Sequence, residues 1–146
     1  MEAITDQERS ISANYEIDRV DSRIIPTNGY YFSVGASLYG GILGGERNYF
    51  KVISQYKYYY NLNSNIIFCS RLQAGYIKIL DGSTYLPIYD KFYIGGQTSL
   101  RGWLNSESFN PDGGLTKFLV NIELRTKVYK KLGVNIFLIL EILIIL

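Results

Sequence analysis

Along most of this chain, apolar and polar residues alternate one by one, the period of a strand with one apolar and one polar face. In Tyr30–Gly40, Tyr30, Phe32, Val34, Ala36 and Leu38 share one face, and Tyr31, Ser33, Gly35, Ser37 and Tyr39 the other. In Tyr49–Tyr60, Phe50, Val52, Tyr56, Tyr58 and Tyr60 oppose Lys51, Gln55 and Lys57. Ile66–Ile77 sets Ile66, Phe68, Leu72, Ala74 and Tyr76 against Arg71, Gln73 and Gly75. Lys117–Arg125 sets Phe118, Val120, Ile122 and Leu124 against Lys117, Asn121, Glu123 and Arg125. A weaker strand from Ile11 to Asp18 and a later one starting near Gly133 make about six strands, with no helical period anywhere.

The connections are of two kinds. Pro26–Gly29 and Asn61–Asn65 read as short, tight turns, whereas Gly40–Asn48 and Leu80–Thr116 are longer and rich in glycine. Short and long alternate, as in an up-and-down outer-membrane barrel with short periplasmic turns and longer outside loops. Several segments match the ~9–11 residues of a tilted membrane strand rather than the ~5–6 of a soluble one. Aromatic residues gather toward strand ends, at Tyr30, Tyr31 and Tyr39 and at Tyr56, Tyr58, Tyr59 and Tyr60, where a membrane barrel carries its girdles. A soluble antiparallel sheet with one wet face alternates identically, so the period alone leaves both architectures open.

Composition then removes function classes. The 146 residues suit one domain, and the absence of His excludes an imidazole base or a His metal ligand. One Cys excludes an internal disulfide or a multi-thiolate metal site, and a net charge of +2 is too small to argue for nucleic acid. Fourteen Tyr and 14 Gly favour β-structure with tight turns. Met1–Arg9 has no apolar run to serve as a secretory signal, and Ile136–Leu146, interrupted by Glu141, is too short for a transmembrane helix of ~20 residues.

Several candidate chemistries have plainer readings. Gly40–Glu46 lacks the Lys-Ser/Thr of a phosphate loop and reads as an ordinary β-loop. Cys69, among polar-face positions, reads as an inert packed thiol. Glu16, Asp18 and Asp21 read as a solvated strand end rather than a cation site. Lys51, Lys57, Arg71 and Lys117 with interleaved tyrosines could suit a single-stranded nucleic acid. Lying opposite the apolar face, they read better as the coat of a polar lumen. No catalytic residue, metal, cofactor or nucleic-acid partner is expected.

The most specific residues lie in Leu86–Trp103. There Pro87, Phe92, Gly95, Gly96, Leu100, Arg101, Gly102 and Trp103 fit the pattern Pro-x-x-x-x-Phe-x-x-Gly-Gly-x-x-x-(Val/Leu)-Arg-Gly-aromatic. That segment resembles the long loop of the BamA/TamA family of outer-membrane barrels, the bacterial surface-antigen family that inserts and assembles other membrane proteins. Upstream, Tyr15–Asp18, Asp21–Arg23 and Pro26–Gly29 resemble the family's strand that ends in an acidic pair, Asp18 and Asp21, before a Pro-Thr-x-Gly turn closed by Gly29. The Gly-rich Leu43–Glu46 follows as in the family, and the resemblance spans residues 11–138.

The resemblance implies an all-β fold, part of an antiparallel up-and-down transmembrane β-barrel that in the intact family has sixteen strands behind soluble periplasmic domains. Residues 1–9 are then an unstructured lead and 10–138 a partial barrel containing the Arg-Gly-Trp loop at 80–116. Residues 139–146 form an aberrant apolar tail. In the family the loop folds into the lumen and wall carboxylates hold its Arg. Carried over, Arg101 would be held by Glu123, which alternation places on the lumen side, while Gly95, Gly96 and Gly102 let the backbone approach the wall and Trp103 wedges the tip.

The family's second acid, from an Asp-x-Gly-like run on the next strand, has no counterpart after Gly133–Leu138. Codons for Leu138–Leu143 read in another frame can spell Asp-Phe-Gly-Asn-Ile, the family's continuation, so a shifted reading frame is the expectation for the tail. The implied parent folds and inserts β-barrel proteins in the bacterial outer membrane, rather than an organellar one, without chemistry on a substrate. Its partners are the bilayer, client barrels, and accessory lipoproteins or periplasmic domains of the parent chain. Alternatives are a two-partner-secretion-type translocation pore and a soluble β-sheet binding module.

Overall fold

In the computed structural model, residues 8–45, 47–83, 86–93, 112–129 and 132–144 are described. They form one six-stranded antiparallel sheet with neighbours in chain order. The strands are β1 (Ser10–Asp18), β2 (Gly29–Tyr39), β3 (Tyr49–Asn63), β4 (Ile66–Ile79), β5 (Thr116–Tyr129) and β6 (Leu132–Ile144). Every pairing is between consecutive strands, the up-and-down arrangement expected from the alternation of turns. The only helical pieces among the described residues are single 3-10 turns at Gly41–Leu43 and Ile88–Asp90. No described helix is long and apolar enough to cross a membrane, which says nothing of strands.

The register puts the two faces where alternation places them. Tyr30 sits opposite Tyr58, Phe32 opposite Tyr56, Val52 opposite Tyr76 and Ala74 opposite Phe118, so the apolar positions form continuous rows. The polar rows are equally continuous, with Lys57 opposite Arg71 and Arg71 opposite Asn121. β-branched and aromatic side chains fit this pleated surface, because each packs against a cross-strand partner on its own face.

Several boundaries differ from the sequence expectation. β3 runs on to Asn63, because the Asn63 side chain closes the turn by accepting N–H bonds from Asn65 and Ile66, both at 2.9 Å. β6 continues through the apolar tail to Ile144, pairing Lys117 with Leu143 and Thr116 with Ile144. The reason is physical: the edge of β5 offers unpaired backbone groups along its whole length, and Ile and Leu take the extended conformation without strict alternation. Glu8 and Arg9, placed in the lead, are engaged rather than loose. Glu8 pairs with Arg47, and the Arg9 carbonyl accepts from Gly40 N at 2.9 Å.

The buried residues do not lie between two apolar layers. Tyr49, Ile77 and Phe92 form the core cluster, with Tyr39, Leu86 and Leu115 packed against it. Tyr49 and Ile77 are on the polar-row face of the sheet, and Phe92 belongs to the segment after β4 that folds over that face. We call this covered side the inner face.

Candidate functional site: the inner face and the base of the long loop

Burial differs between the two faces in the sense opposite to a soluble sheet, although Ile53 and Ile79 of the inner rows are also exposed. The strand residues buried among the described ones, Tyr49, Ile67, Cys69, Gly75, Ile77 and Leu119, all belong to the inner rows. Large apolar side chains of the other face stand exposed: Tyr15, Tyr30, Tyr56, Tyr58, Tyr60, Leu72, Tyr76, Phe118, Leu124 and Ile136. A water-soluble protein covers its apolar face and wets its polar one. Here the charged face is the covered one, as in a barrel whose outside meets lipid and whose inside meets water.

The outer face also carries two aromatic levels. Tyr30, Phe32, Tyr56, Tyr58, Tyr60 and Phe68 lie toward the short-turn end, with Tyr58 and Tyr60 stacked at 6.4 Å and Tyr30 and Tyr56 tilted at 6.2 Å. Phe50 and Tyr76 lie toward the long-loop end. From Tyr58 to Phe50 along β3 is roughly 27 Å at ~3.4 Å per residue, or about 21 Å of height at a ~40° tilt, close to the ~25 Å apolar band of membrane barrels.

Ion pairs and hydrogen bonds line the inner face. Arg71 Nε donates to Asn121 Oδ1 at 2.8 Å. Glu123, the expected wall carboxylate, does face inward, and Arg125 grips it with Nε–Oε1 at 3.2 Å and Nη2–Oε2 at 3.4 Å. The Arg125 guanidinium also lies 6.0 Å from the Tyr59 ring centroid, and Lys57 Nζ 5.2 Å from that of Tyr31. Cys69 is buried beside this group as a free thiol. Gly95, Gly96, Leu100, Arg101, Gly102 and Trp103 lie outside the described residues.

The base of that loop is described. After the 3-10 turn at Ile88–Asp90, Phe92 forms an antiparallel bridge with Gly114: Phe92 N donates to Gly114 O at 2.9 Å and Gly114 N to Phe92 O at 2.8 Å. Lys51 Nζ, from β3, donates to the Asp90 carbonyl at 2.6 Å, and Lys117 Nζ, from β5, to that of Tyr93 at 3.3 Å. Arg47 lies 5.5 Å from the Tyr89 ring centroid and pairs with Glu8. The sequence places Lys51 and Lys117 in the polar coat but does not show what they hold. The available signal is Gly75, a glycine inside a strand, which marks a close approach.

At the opposite end, the acidic-pair turn is a built structure. Asp21 accepts the backbone N–H of Thr27 at 2.9 Å and of Asn28 at 3.1 Å, and the Thr27 hydroxyl donates to its other oxygen. These donors hold the Asp21 carboxyl down at about 2 from its ordinary 3.8, the Thr27 hydroxyl contributing most. Asp18 pairs with Arg23 at 2.9 Å and accepts Val20 N–H at 3.3 Å. Pro26 is half-buried beside an open groove of about 340 Å³ that Glu16, Asp18, Tyr31 and Lys57 also line. Gly29 has φ +107°, and a Cβ there would run into the Arg19 carbonyl. The connection extends over Arg19–Asn28, longer than the four-residue turn of the sequence reading, but Arg19 N–Tyr30 O and Asp21 N–Asn28 O bonds continue the pairing into it. Among the described residues no group of three Cys, Asp or Glu could hold a metal.

An antiparallel meander with a naked apolar face and a charged face covered at one end by the base of a long loop defines a segment of a membrane β-barrel. The Omp85 superfamily domain matches residues 2–138, and the chain belongs to that superfamily. Over 94 residues it is 32% identical to the outer membrane protein assembly factor BamA of Nitratidesulfovibrio vulgaris, a match covering 64% of this chain and 12% of that protein. The fold also superposes on the crystal structure of BamA from Haemophilus ducreyi lacking POTRA domains 1-3, with a TM-score of 0.74 and 19% identity. That likeness covers 83% of this chain and 26% of the other. The chain thus spans a small part of its relatives, and their barrel accounts for the six strands seen here.

Proposed function

We propose that this chain is part of an outer-membrane factor that folds and inserts other β-barrel proteins, acting by presenting its fold rather than by chemistry on a substrate. The observation that carries the reading is the reversed burial of the sheet, apolar side naked and charged side covered by the loop base, in a member of the Omp85 superfamily. The sequence likeness to a protein named as an assembly factor supports the same direction. In lipid, every backbone group needs a partner, so an unfolded client strand gains most by pairing with a sheet edge already in the membrane. Client barrels, the bilayer of a bacterial outer membrane, and lipoproteins or periplasmic domains of the parent are the partners this reading requires.

The test is insertion into proteoliposomes carrying the protein that contains this segment. A urea-unfolded client barrel should acquire heat-modifiable gel mobility several-fold faster than in empty liposomes. Equal rates with and without the protein contradict the reading. Release of a passenger across the vesicle wall, with no gain in client folding, would assign it to translocation instead.

A further inference from the structure

Gly75 sits on the inner face of β4, and the Phe92 ring lies edge-on against it. A Cβ built on Gly75 would come 2.5 Å from Phe92 Cζ and 2.8 Å from Cε1. Gly75 is not among the glycines with positive φ, so its backbone does not itself require glycine, and the three atoms nearest a Cβ there all belong to the Phe92 ring. The same ring has Lys51 Nζ 5.3 Å from its centroid.

On either side of Phe92, lysines from two strands hold backbone carbonyls, Lys51 at Asp90 and Lys117 at Tyr93. The returning leg is fixed as well. Lys91 Nζ donates to Asp112 O at 3.0 Å, Gly114 bridges Phe92, and Leu115 O accepts from Ile77 N at 2.8 Å. Both legs of the loop that carries Arg101 are therefore stapled to one place on the wall, by contacts that do not involve Arg101.

We propose that Gly75, Lys51 and Lys117 are positioning residues that seat the loop base through Phe92, so that the Arg101 segment starts from and returns to a fixed point on the inner face. A carbonyl clamp suits a lysine because its ammonium supplies several rotatable donors on a flexible stem and reads no side-chain identity. The glycine notch sets depth, since any side chain at 75 lifts the ring and with it the two carbonyls. The proposal rests on reading the chain as a membrane barrel, and it adds where the loop is held.

Trp103 is the single tryptophan of the chain, so its fluorescence reports the loop without labelling. Acrylamide quenching of Trp103 is measured on the full chain in detergent micelles, with far-ultraviolet circular dichroism as the check on the sheet. Gly75→Val should raise the quenching constant about twofold, and Gly75→Val with Phe92→Ala should return it toward the value of Phe92→Ala alone. Lys51→Met with Lys117→Met should raise it without loss of the β-sheet dichroism, and Lys51→Arg with Lys117→Arg, which keep donors, should not. Should Gly75→Val fail to fold, the lysine series decides.

Unchanged quenching in Gly75→Val, or in the lysine-to-methionine pair when Gly75→Val does not fold, overturns the proposal. Additive effects of the 75 and 92 substitutions overturn it too. Quenching behaves independently of client insertion. A flat insertion assay with this pattern intact removes the proposed function and leaves the loop seat, and normal insertion with unchanged quenching does the reverse.

Discussion

Tyr58 and Tyr59 are neighbours on β3 and do opposite jobs. Tyr58 stands on the naked face, exposed and stacked on Tyr60, while Tyr59 lies on the covered face beneath the Arg125 guanidinium. Identical side chains one residue apart thus meet lipid in one case and a charged interior in the other. What a residue does here is set by its face, which the period of the strand decides, more than by its chemistry.

The largest difference between the faces is expected when a charge is placed on each. Val34→Arg puts a guanidinium on the naked face and should destabilise the folded state in lipid by ~2–4 kcal/mol, the range for Arg near a bilayer midplane. Ser33→Arg, one residue away, faces inward at the register of Glu16 and Gln55 and should change stability by less than ~0.5 kcal/mol. Urea unfolding in vesicles, followed by circular dichroism, measures both. Equal costs would mean that the faces are not distinct.

Next comes the backbone that holds the strands in register. Gly29→Ala forces a side chain into a left-handed φ against the Arg19 carbonyl and should cost more than ~1 kcal/mol. Gly41→Ala has positive φ but nothing within 4 Å, so its cost in the same unfolding measurement should be smaller. On the inner face, Glu123→Gln weakens the pair with Arg125. That pair is partly exposed, with side-chain accessibilities of 13% and 31%, so the loss should stay below ~1 kcal/mol and shrink in high salt.

The smallest expected effect is a pH dependence at the acidic turn. Asp21 binds its proton less readily folded than unfolded, so the stability it contributes is complete above its ordinary 3.8 and is lost as pH falls toward about 2. Proteolysis between β1 and β2 by an acid-active protease should rise through that window, and Asp21→Asn should flatten the rise.

The strands and their faces were legible in the sequence because a period of two survives any tertiary detail. Tyr30 through Leu38 and Phe118 through Leu124 needed nothing else. The turn at Pro26–Gly29 was legible too, as turn chemistry is local, although its full extent was not, because Arg19 and Asp21 pair across it through backbone atoms that carry no sequence signal. β6 beyond Leu138 could not be read by alternation, since the apolar tail lacks it and the neighbouring strand supplies the reason for its extension.

Alternation puts Glu123 and Arg125 on one face, but it carries no sign that the two pair with each other. The loop seat was hidden for a different cause. Lys51, Gly75, Phe92 and Lys117 meet only once β3, β4 and β5 are side by side, and no spacing along the chain encodes that.

Spin labels scanned along β5 show directly whether the apolar row faces lipid and the charged row does not. After Cys69→Ser removes the one native thiol, single cysteines from Lys117 to Arg125 are labelled in vesicles and their collision rates with oxygen and with a water-soluble nickel chelate compared. A period of two is expected, with oxygen favoured at Phe118, Val120, Ile122 and Leu124 and not at the residues between. The opposite phase, or no alternation at all, would contradict it.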